Sequence, residues 1–142
     1  MKTFTIIFSV LIFNLGFNII PVEDSILKIL VLNTPEDYLG KDDQVCNLEY
    51  KYLGAVNKNN IPFYYISTIS LEFGATCRKS TRLIVYNKDF KFQGDYYTQG
   101  SLPTHLVDNI LTGPEWPTLD IGLRLPDTIK TNNGLTFVFE SE

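Results

Sequence analysis

The sequence has few of the residues on which catalysis and metal binding usually depend. Its 142 residues include one histidine, one tryptophan, one methionine and two cysteines. The histidine, His105, follows Pro103 and Thr104 in a predicted surface turn, and no Gly-x-Ser-x-Gly nucleophile elbow is present. No Cys-x-x-Cys or His-x-x-x-His pair indicates zinc, and the acidic residues 36–37 and 42–43 lack the spacing of a calcium loop. The sequence therefore predicts no metal site and no cofactor.

Positive charge is also scarce. Twelve lysines and arginines stand against sixteen aspartates and glutamates, for a formal net charge of -4. The one local basic group, Arg78 and Lys79 with Arg82, is too small for a nucleic-acid footprint. A nucleic-acid partner is therefore not expected.

The N-terminus has the pattern of an export signal. Lys2 precedes an uncharged, mostly apolar run from Phe4 to Ile20, which Pro21 closes. As a helix this run would span only about 25 Å, which is short of a hydrocarbon core of about 30 Å. We expect a signal peptide at residues 1–20, a single domain at 22–142 and a secreted or periplasmic protein. No small-x-small cleavage pair follows the run, so an uncleaved anchor, with membrane contact, is the first alternative and a buried core segment is the second.

Cys46 and Cys77 are the two cysteines, and whether they are expected to be bonded depends on whether the protein is exported. Two cysteines in an exported domain most simply form one disulfide, and a loop of about 30 residues corresponds to roughly 3 to 4 kcal/mol in the chain-entropy model. The alternative is a free, reactive Cys77, because the neighbouring Arg78 and Lys79 favour its thiolate.

From Val45 onward, the chain consists of short segments in which apolar and polar residues alternate, and turn residues separate these segments. This pattern is typical of antiparallel sheet with one buried face. The clearest alternation is the run Leu119, Ile121, Leu123 and Leu125. We predict an all-β domain of about six to eight strands, either a sandwich or a partly open barrel. The predicted strands begin near residues 46, 63, 82, 90, 119 and 135, the last one after the Asn133-Gly134 turn. Gly94 indicates a bulge or a close backbone approach.

Helix is expected to be scarce. Residues 34–39 combine an N-cap threonine, a proline and two acids, which predicts about one turn of helix before Gly40. The apolar residues 25–32 suit a buried strand or a two-turn helix, and we favour a strand. For residues 102–111 a second hairpin and a helix are equally plausible.

Binding is the function that the aromatic content favours. Aromatic residues make up 13% of the chain, and adjacent strand residues point to opposite faces, so Tyr64 and Tyr97 are predicted to point outward. Such tyrosines can form a binding platform, but cross-strand surface packing or the inner layer of a second sheet is the favoured explanation. Trp116, between Pro114 and Pro117, is either an exposed anchor for a partner or a plug over the end of the sheet, and the plug is favoured.

These observations predict a non-catalytic binding domain for a protein or glycan surface, through Tyr64, Tyr97 and Trp116. A first alternative is a barrel that carries a small apolar ligand in a cavity lined by Phe63, Phe92, Ile121 and Leu123. A second alternative is a small secreted hydrolase whose catalytic pair of acidic residues the sequence does not identify. A Cys77–His105 dyad would need a free thiol.

Overall fold

The structure is a computed structural model, and it describes residues 22–41, 44–122 and 124–141. Within these ranges one α-helix, α1, spans Val22–Leu32, and a short 3-10 helix spans Glu36–Leu39. The predicted signal segment at 1–20 lies outside the described residues. The strands are β1 Val45–Lys58, β2 Ile61–Phe73, β3 Arg78–Asn87, β4 Phe92–Tyr97, β5 His105–Val107, β6 Ile110–Thr112, β7 Leu119–Asp120, β8 Thr128–Lys130 and β9 Thr136–Ser141.

The strands form two antiparallel sheets, which confirms the predicted all-β class. The main sheet has the order β1-β2-β3-β4-β9-β8, and β5-β6-β7 form a small second sheet. The predicted turn of helix near residues 34–39 is present as the 3-10 helix.

Two tight turns show why asparagine clusters end strands in this chain. β1 turns into β2 through Asn59 and Asn60, and β5 turns into β6 through Asp108 and Asn109. All four residues have positive φ, between 51° and 66°. Both φ values are positive in a type I′ hairpin turn, and asparagine and aspartate tolerate this conformation. Residues 102–111 therefore contain a hairpin, and the helix alternative for them is wrong.

α1 covers one face of the main sheet, which we call the helix face. Its residues Leu30 and Val31 are buried in a cluster with sheet residues that include Leu48, Ile69 and Ile84. The expectation of a strand at 25–32 is therefore wrong. Ile26, Leu27, Leu30 and Val31 lie on one side of a helix, whereas Leu32 is 76% exposed.

A chain of buried hydroxyl groups connects α1 to the helix face. The Thr34 hydroxyl donates to the Leu30 carbonyl over 2.7 Å, so its one proton is used there. Tyr86 must then donate to Thr34 over 2.6 Å, and Tyr50 must donate to Tyr86 over 2.5 Å. The end of α1 is thus fixed to β1 and β3 by directed hydrogen bonds.

The small sheet covers the opposite face of the main sheet, which we call the small-sheet face. Ile66 and Leu83 of the main sheet are buried there against Leu111 of β6. Trp116, Ile121 and Phe137 complete this apolar cluster. Since β2 and β3 are covered on both faces, consecutive residues along them are buried.

Gly94 marks a register shift between β3 and β4, as predicted. Tyr86 pairs with Phe92 whereas Val85 pairs with Gly94, so β4 has an additional residue at this point. A Cβ at Gly94 would lie 2.4 Å from the Glu140 carbonyl of β9, so the glycine also allows a close backbone approach. The bulge puts Phe92 on the helix face and Tyr96 on the small-sheet face, although their alternation predicts a shared face.

The alternating run at 119–125 forms much less strand than its pattern suggests. Only Leu119 and Asp120 pair with β6. Ile121 is nevertheless buried, and Leu119 and Leu125 pack against the same cluster. Leu123 lies outside the described residues. In this segment the alternation indicated burial rather than a hydrogen-bonded strand.

Candidate functional site

An open cleft of about 510 Å³ lies on the helix face, beside the part that the helices cover. We call it the charged cleft. It is lined by Phe73, Arg78, Lys79, Ser80, Arg82, Tyr97 and Glu140.

The register of the main sheet builds the charged cleft. Arg78, Ser80 and Arg82 are alternate residues of β3, so their side chains leave the same face. Phe73 of β2 is the direct partner of Arg78, and Tyr97 of β4 is the partner of Arg82. Residues that are far apart in sequence are therefore brought to one surface by strand pairing.

Arg82 is the most firmly held side chain of the cleft. Its guanidinium lies 2.7 Å from a carboxylate oxygen of Asp95, and the Tyr38 hydroxyl donates to the other oxygen over 2.7 Å. The same guanidinium lies 4.1 Å from the Tyr38 ring centroid and 5.2 Å from that of Tyr97. Arg82 is thus held between two aromatic rings and a carboxylate that is 1% exposed.

Tyr38 connects the 3-10 helix to this ion pair. Burial and the hydrogen bond to the Asp95 carboxylate raise the pKa of Tyr38 to about 12. The phenol therefore remains a neutral hydrogen-bond donor at physiological pH. Its edge contact with Phe92, at 5.8 Å between centroids, also attaches the 3-10 helix to β4.

The other charges of the cleft are not neutralised by the part of the chain that the structure describes. Arg78 lies over the Phe73 ring at 5.4 Å, but neither Arg78 nor Lys79 forms an ion pair with the described residues. Glu140 also has no ion-pair partner among them. Because Asp95 compensates Arg82, two positive charges and one negative charge remain available to a ligand.

The predicted disulfide between Cys46 and Cys77 is present, with the two Cα atoms 5.8 Å apart. The free-thiol alternative for Cys77, and with it the Cys77–His105 dyad, is therefore wrong. Cys77 directly precedes Arg78 and has a φ of 51° in the turn between β2 and β3. The bond joins this turn to the start of β1, so it also anchors the basic end of the charged cleft.

The structure places the two predicted binding tyrosines on different surfaces. Tyr97 is 44% exposed and lines the charged cleft. Tyr64 packs against the small-sheet cluster and lines a separate pocket of about 250 Å³ with Phe63, Asn87, Lys88 and Gln93. Its ring meets Phe63 edge-on at 6.3 Å. The two tyrosines therefore do not form one platform.

Trp116, the third predicted binding residue, lies inside the protein. It is 4% exposed and its ring lies 5.7 Å from that of Phe137. Asn132 donates to its backbone carbonyl over 3.2 Å, which holds the proline-flanked loop against the strand turn. The arrangement is that of the plug, and it presents no indole surface to a partner.

The residues named for the two alternative functions are dispersed. Ile121 belongs to the small-sheet cluster and Phe92 to the helix-face cluster, so they do not line one cavity. His105 is exposed, and its ring Nδ1 lies 2.9 Å from the hydroxyl of the neighbouring Thr104. Among the described residues no group of three or more histidine, cysteine or acidic residues could hold a metal ion. In the same ranges, no helix is long and apolar enough to span a bilayer.

Sequence reasoning missed Tyr38, Asp95 and Glu140, and it treated the basic group only as a weak nucleic-acid site. One signal was present in β3: Arg78, Ser80 and Arg82 alternate, so they make the first part of one face of the strand polar. Their partners on other strands depend on register, which the bulge at Gly94 changes.

Comparisons with known proteins reveal no relative: no family model matches the chain, and no curated protein or solved structure is significantly similar. The geometry of the charged cleft therefore carries the functional interpretation.

Proposed function

We propose that this protein is an exported, non-catalytic binding domain that recognises a protein partner through the charged cleft. The observation that carries this proposal is that Arg78 and Arg82, on one face of β3, lie beside the exposed Tyr97, with Lys79 at the edge of the same cleft. In this arrangement, anionic side chains of the partner contact the basic end and an apolar group rests on the tyrosine.

The charge distribution supports this proposal. The chain as a whole has a net charge of -4, yet three cations line a single cleft. A partner with an acidic segment is repelled by most of the surface and attracted to this part, which favours one docking orientation. Each exposed ion pair contributes only about 0.2 to 1 kcal/mol, so Tyr97 and Phe73 must supply apolar contact for useful affinity.

Binding fits the cleft better than hydrolysis does. Glu140 is the strand partner of Asp95, and two nearby carboxylates are the usual requirement of a glycosidase. Both Asp95 oxygens, however, are already bonded to Arg82 and Tyr38, and the side chain is buried. A substrate would meet one carboxylate rather than two.

Export is supported by two independent features. The N-terminal run has the composition of a signal segment, and a disulfide is typical of oxidising compartments. A secreted or periplasmic location is accordingly part of the proposal.

The test is an NMR titration of the isotopically labelled protein with a hexaglutamate peptide. We expect chemical-shift changes at backbone amides of the charged cleft, and their loss in the double variant Arg78→Ala/Lys79→Ala. The matched control is Lys58→Ala/Lys130→Ala, which removes two exposed lysines elsewhere in the sheet. Equal binding by both variants, or no binding by the native protein, would reject the proposal.

A second candidate is a glycan site at the Phe63–Tyr64 pocket. Phe63 is an exposed aromatic residue, and the amides of Asn87 and Gln93 lie in the same pocket. Aromatic rings beside amide groups suit neutral sugars, although Asn87 already accepts bonds from the amides of Asp89 and Lys91. Shifts at this pocket, and not at the charged cleft, on addition of neutral oligosaccharides would favour this function.

A further inference from the structure

The charged cleft has ends of opposite sign. Arg78 lies at one end, with Lys79 at its edge, and Glu140 is the only acidic residue among the described residues that line the cleft. Glu140 of β9 pairs with Asp95 of β4, which pairs in turn with Ile84 of β3.

Register gives the separation of the two ends. Ile84 is six residues beyond Arg78 on β3, so Glu140 lies about 20 Å along the strand direction from Arg78, at about 3.3 Å per residue. Glu140 also lies two strands away from Arg78, about 10 Å across the sheet at about 4.8 Å per strand, so the two backbone positions are more than about 20 Å apart. An extended peptide advances about 13 Å between residues i and i+4, at about 3.3 Å per residue, and the charged side chains of the cleft and of the peptide reach across the remaining distance.

The middle of the cleft is electrically balanced. Arg82 is paired with Asp95 at 2.7 Å, and its ring neighbour Tyr97 and Ser80 are uncharged. A ligand that crosses the cleft therefore meets a positive end, a neutral aromatic centre and a negative end. A purely acidic ligand would place one charge against Glu140.

From this polarity we infer that the cleft binds an extended peptide segment with an acidic and a basic side chain about four residues apart. The inference rests on the proposed function and adds a second, cationic requirement to it. The acidic side chain contacts Arg78, the basic side chain contacts Glu140, and the intervening chain lies over Tyr97. Glu140 acts as a specificity residue, because it attracts the matched segment and repels one that is acidic throughout.

The experiment compares three nine-residue peptides that share a Gly/Ser/Tyr background. One carries Glu and Arg four residues apart, the second carries Glu and Gln, and the third carries Glu at both positions. For the native protein we expect the Glu/Arg peptide to bind about threefold more tightly than the Glu/Gln peptide, and the Glu/Glu peptide to bind more weakly than either, as expected for one exposed ion pair.

Two variants test whether Glu140 causes this order. Glu140→Gln should give the Glu/Arg and Glu/Gln peptides equal affinity, and Glu140→Lys should make the Glu/Glu peptide the tightest. The control Glu49→Lys inverts an exposed acid on β1 and should leave the native order unchanged. Amide spectra of each variant confirm the fold independently of binding.

The outcomes separate this inference from the proposed function. If the native protein binds all three peptides equally, and Arg78→Ala/Lys79→Ala abolishes that binding, acidic recognition is supported and the requirement for a cation is rejected. If Glu140→Lys leaves the preference for Glu/Arg intact, the role of Glu140 is also rejected. If none of the peptides shifts the cleft amides, both proposals fail.

Discussion

The two faces of the main sheet are covered in different ways. The small-sheet face is closed by a second sheet and a loop, and its centre is an apolar cluster around Leu83, Trp116 and Phe137. The helix face is covered by an eleven-residue helix and a single 3-10 turn. These elements leave the ends of β2, β3 and β4 open, and the charged cleft occupies that area.

Buried polar groups occur on both faces, since Thr98 donates to Thr81 on the small-sheet face, but the buried ion pair lies on the helix face. The helix face buries the Tyr50–Tyr86–Thr34 hydroxyl chain and the Asp95 carboxylate, each with specific partners. Such networks add direction to packing, because every buried polar atom needs its partner in place. Both faces bury an apolar cluster of similar size, so we expect both to contribute to stability, while the polar network of the helix face also fixes the geometry of the cleft.

The strongest test of this comparison is Phe137→Ala on the small-sheet face. Phe137 is buried beside Trp116, so its removal leaves a cavity and should lower the free energy of unfolding by about 3 to 5 kcal/mol. Denaturant unfolding measures the loss. The neighbouring Val138 is 55% exposed, and Val138→Ala should change stability by less than about 0.5 kcal/mol. A small loss at Phe137 would show that the apolar cluster of this face contributes little to stability.

A second test removes the disulfide at the edge of the charged cleft. In the chain-entropy model, closing a loop with a sequence separation of 31 contributes about 3 to 4 kcal/mol, which Cys46→Ala/Cys77→Ala should remove. Because Cys77 precedes Arg78, we also expect weaker binding of hexaglutamate under conditions where the variant remains folded. Unchanged affinity would show that strand pairing alone positions the basic end.

Sequence patterns predicted the main sheet more fully than the elements that pack on it. β1, β2, β3 and β9 follow from alternation and turn residues, since a period of two and an asparagine turn are local properties. Residues 25–32 were assigned to the wrong type of structure because nearly every position is apolar, which hides the helical period. Leu32 is exposed at the end of α1, and no local signal distinguishes it from Leu30.

The candidate site was only partly predictable. Tyr97 was expected to point outward, and it does, but Tyr64 was grouped with it although the two lie on opposite faces. The ion pair between Arg82 and Asp95 depends on the pairing of β3 with β4, and the bulge at Gly94 shifts that pairing by one residue. Long-range register is a property of the whole sheet, so neither Asp95 nor Glu140 could be assigned from its neighbours in the sequence.

A third test concerns the hydroxyl chain of the helix face. Tyr86→Phe removes the group that joins Tyr50 to Thr34 and should cost about 1 to 2 kcal/mol of unfolding free energy. The control Tyr64→Phe lies on the other face and should cost less than about 0.5 kcal/mol. If both substitutions cost the same, the hydrogen bonds between α1 and the sheet do not contribute specifically.

The smallest expected effect is a change, at alkaline pH, in the unfolding free energy that Tyr86→Phe removes. Burial raises the pKa of Tyr86, and that of Tyr50, above the unfolded value of about 10. The folded state then holds these protons while the unfolded state releases them, so stability is complete below pH 10 and falls as the pH rises above it. Tyr86→Phe removes one of these groups.

At about pH 10.5 the difference in unfolding free energy between the native protein and Tyr86→Phe should therefore be smaller by about 0.8 kcal/mol than at neutral pH. Ile84→Val provides the matched control, because it removes buried volume from the same face without a titratable group, and its cost should not change with pH. Unfolding at a series of pH values measures both. A cost of Tyr86→Phe that stays constant or grows above pH 10 would mean that the phenol ionises as easily in the folded protein as in the unfolded chain. The hydroxyl chain would then not be the buried, directed network that we assign to the helix face.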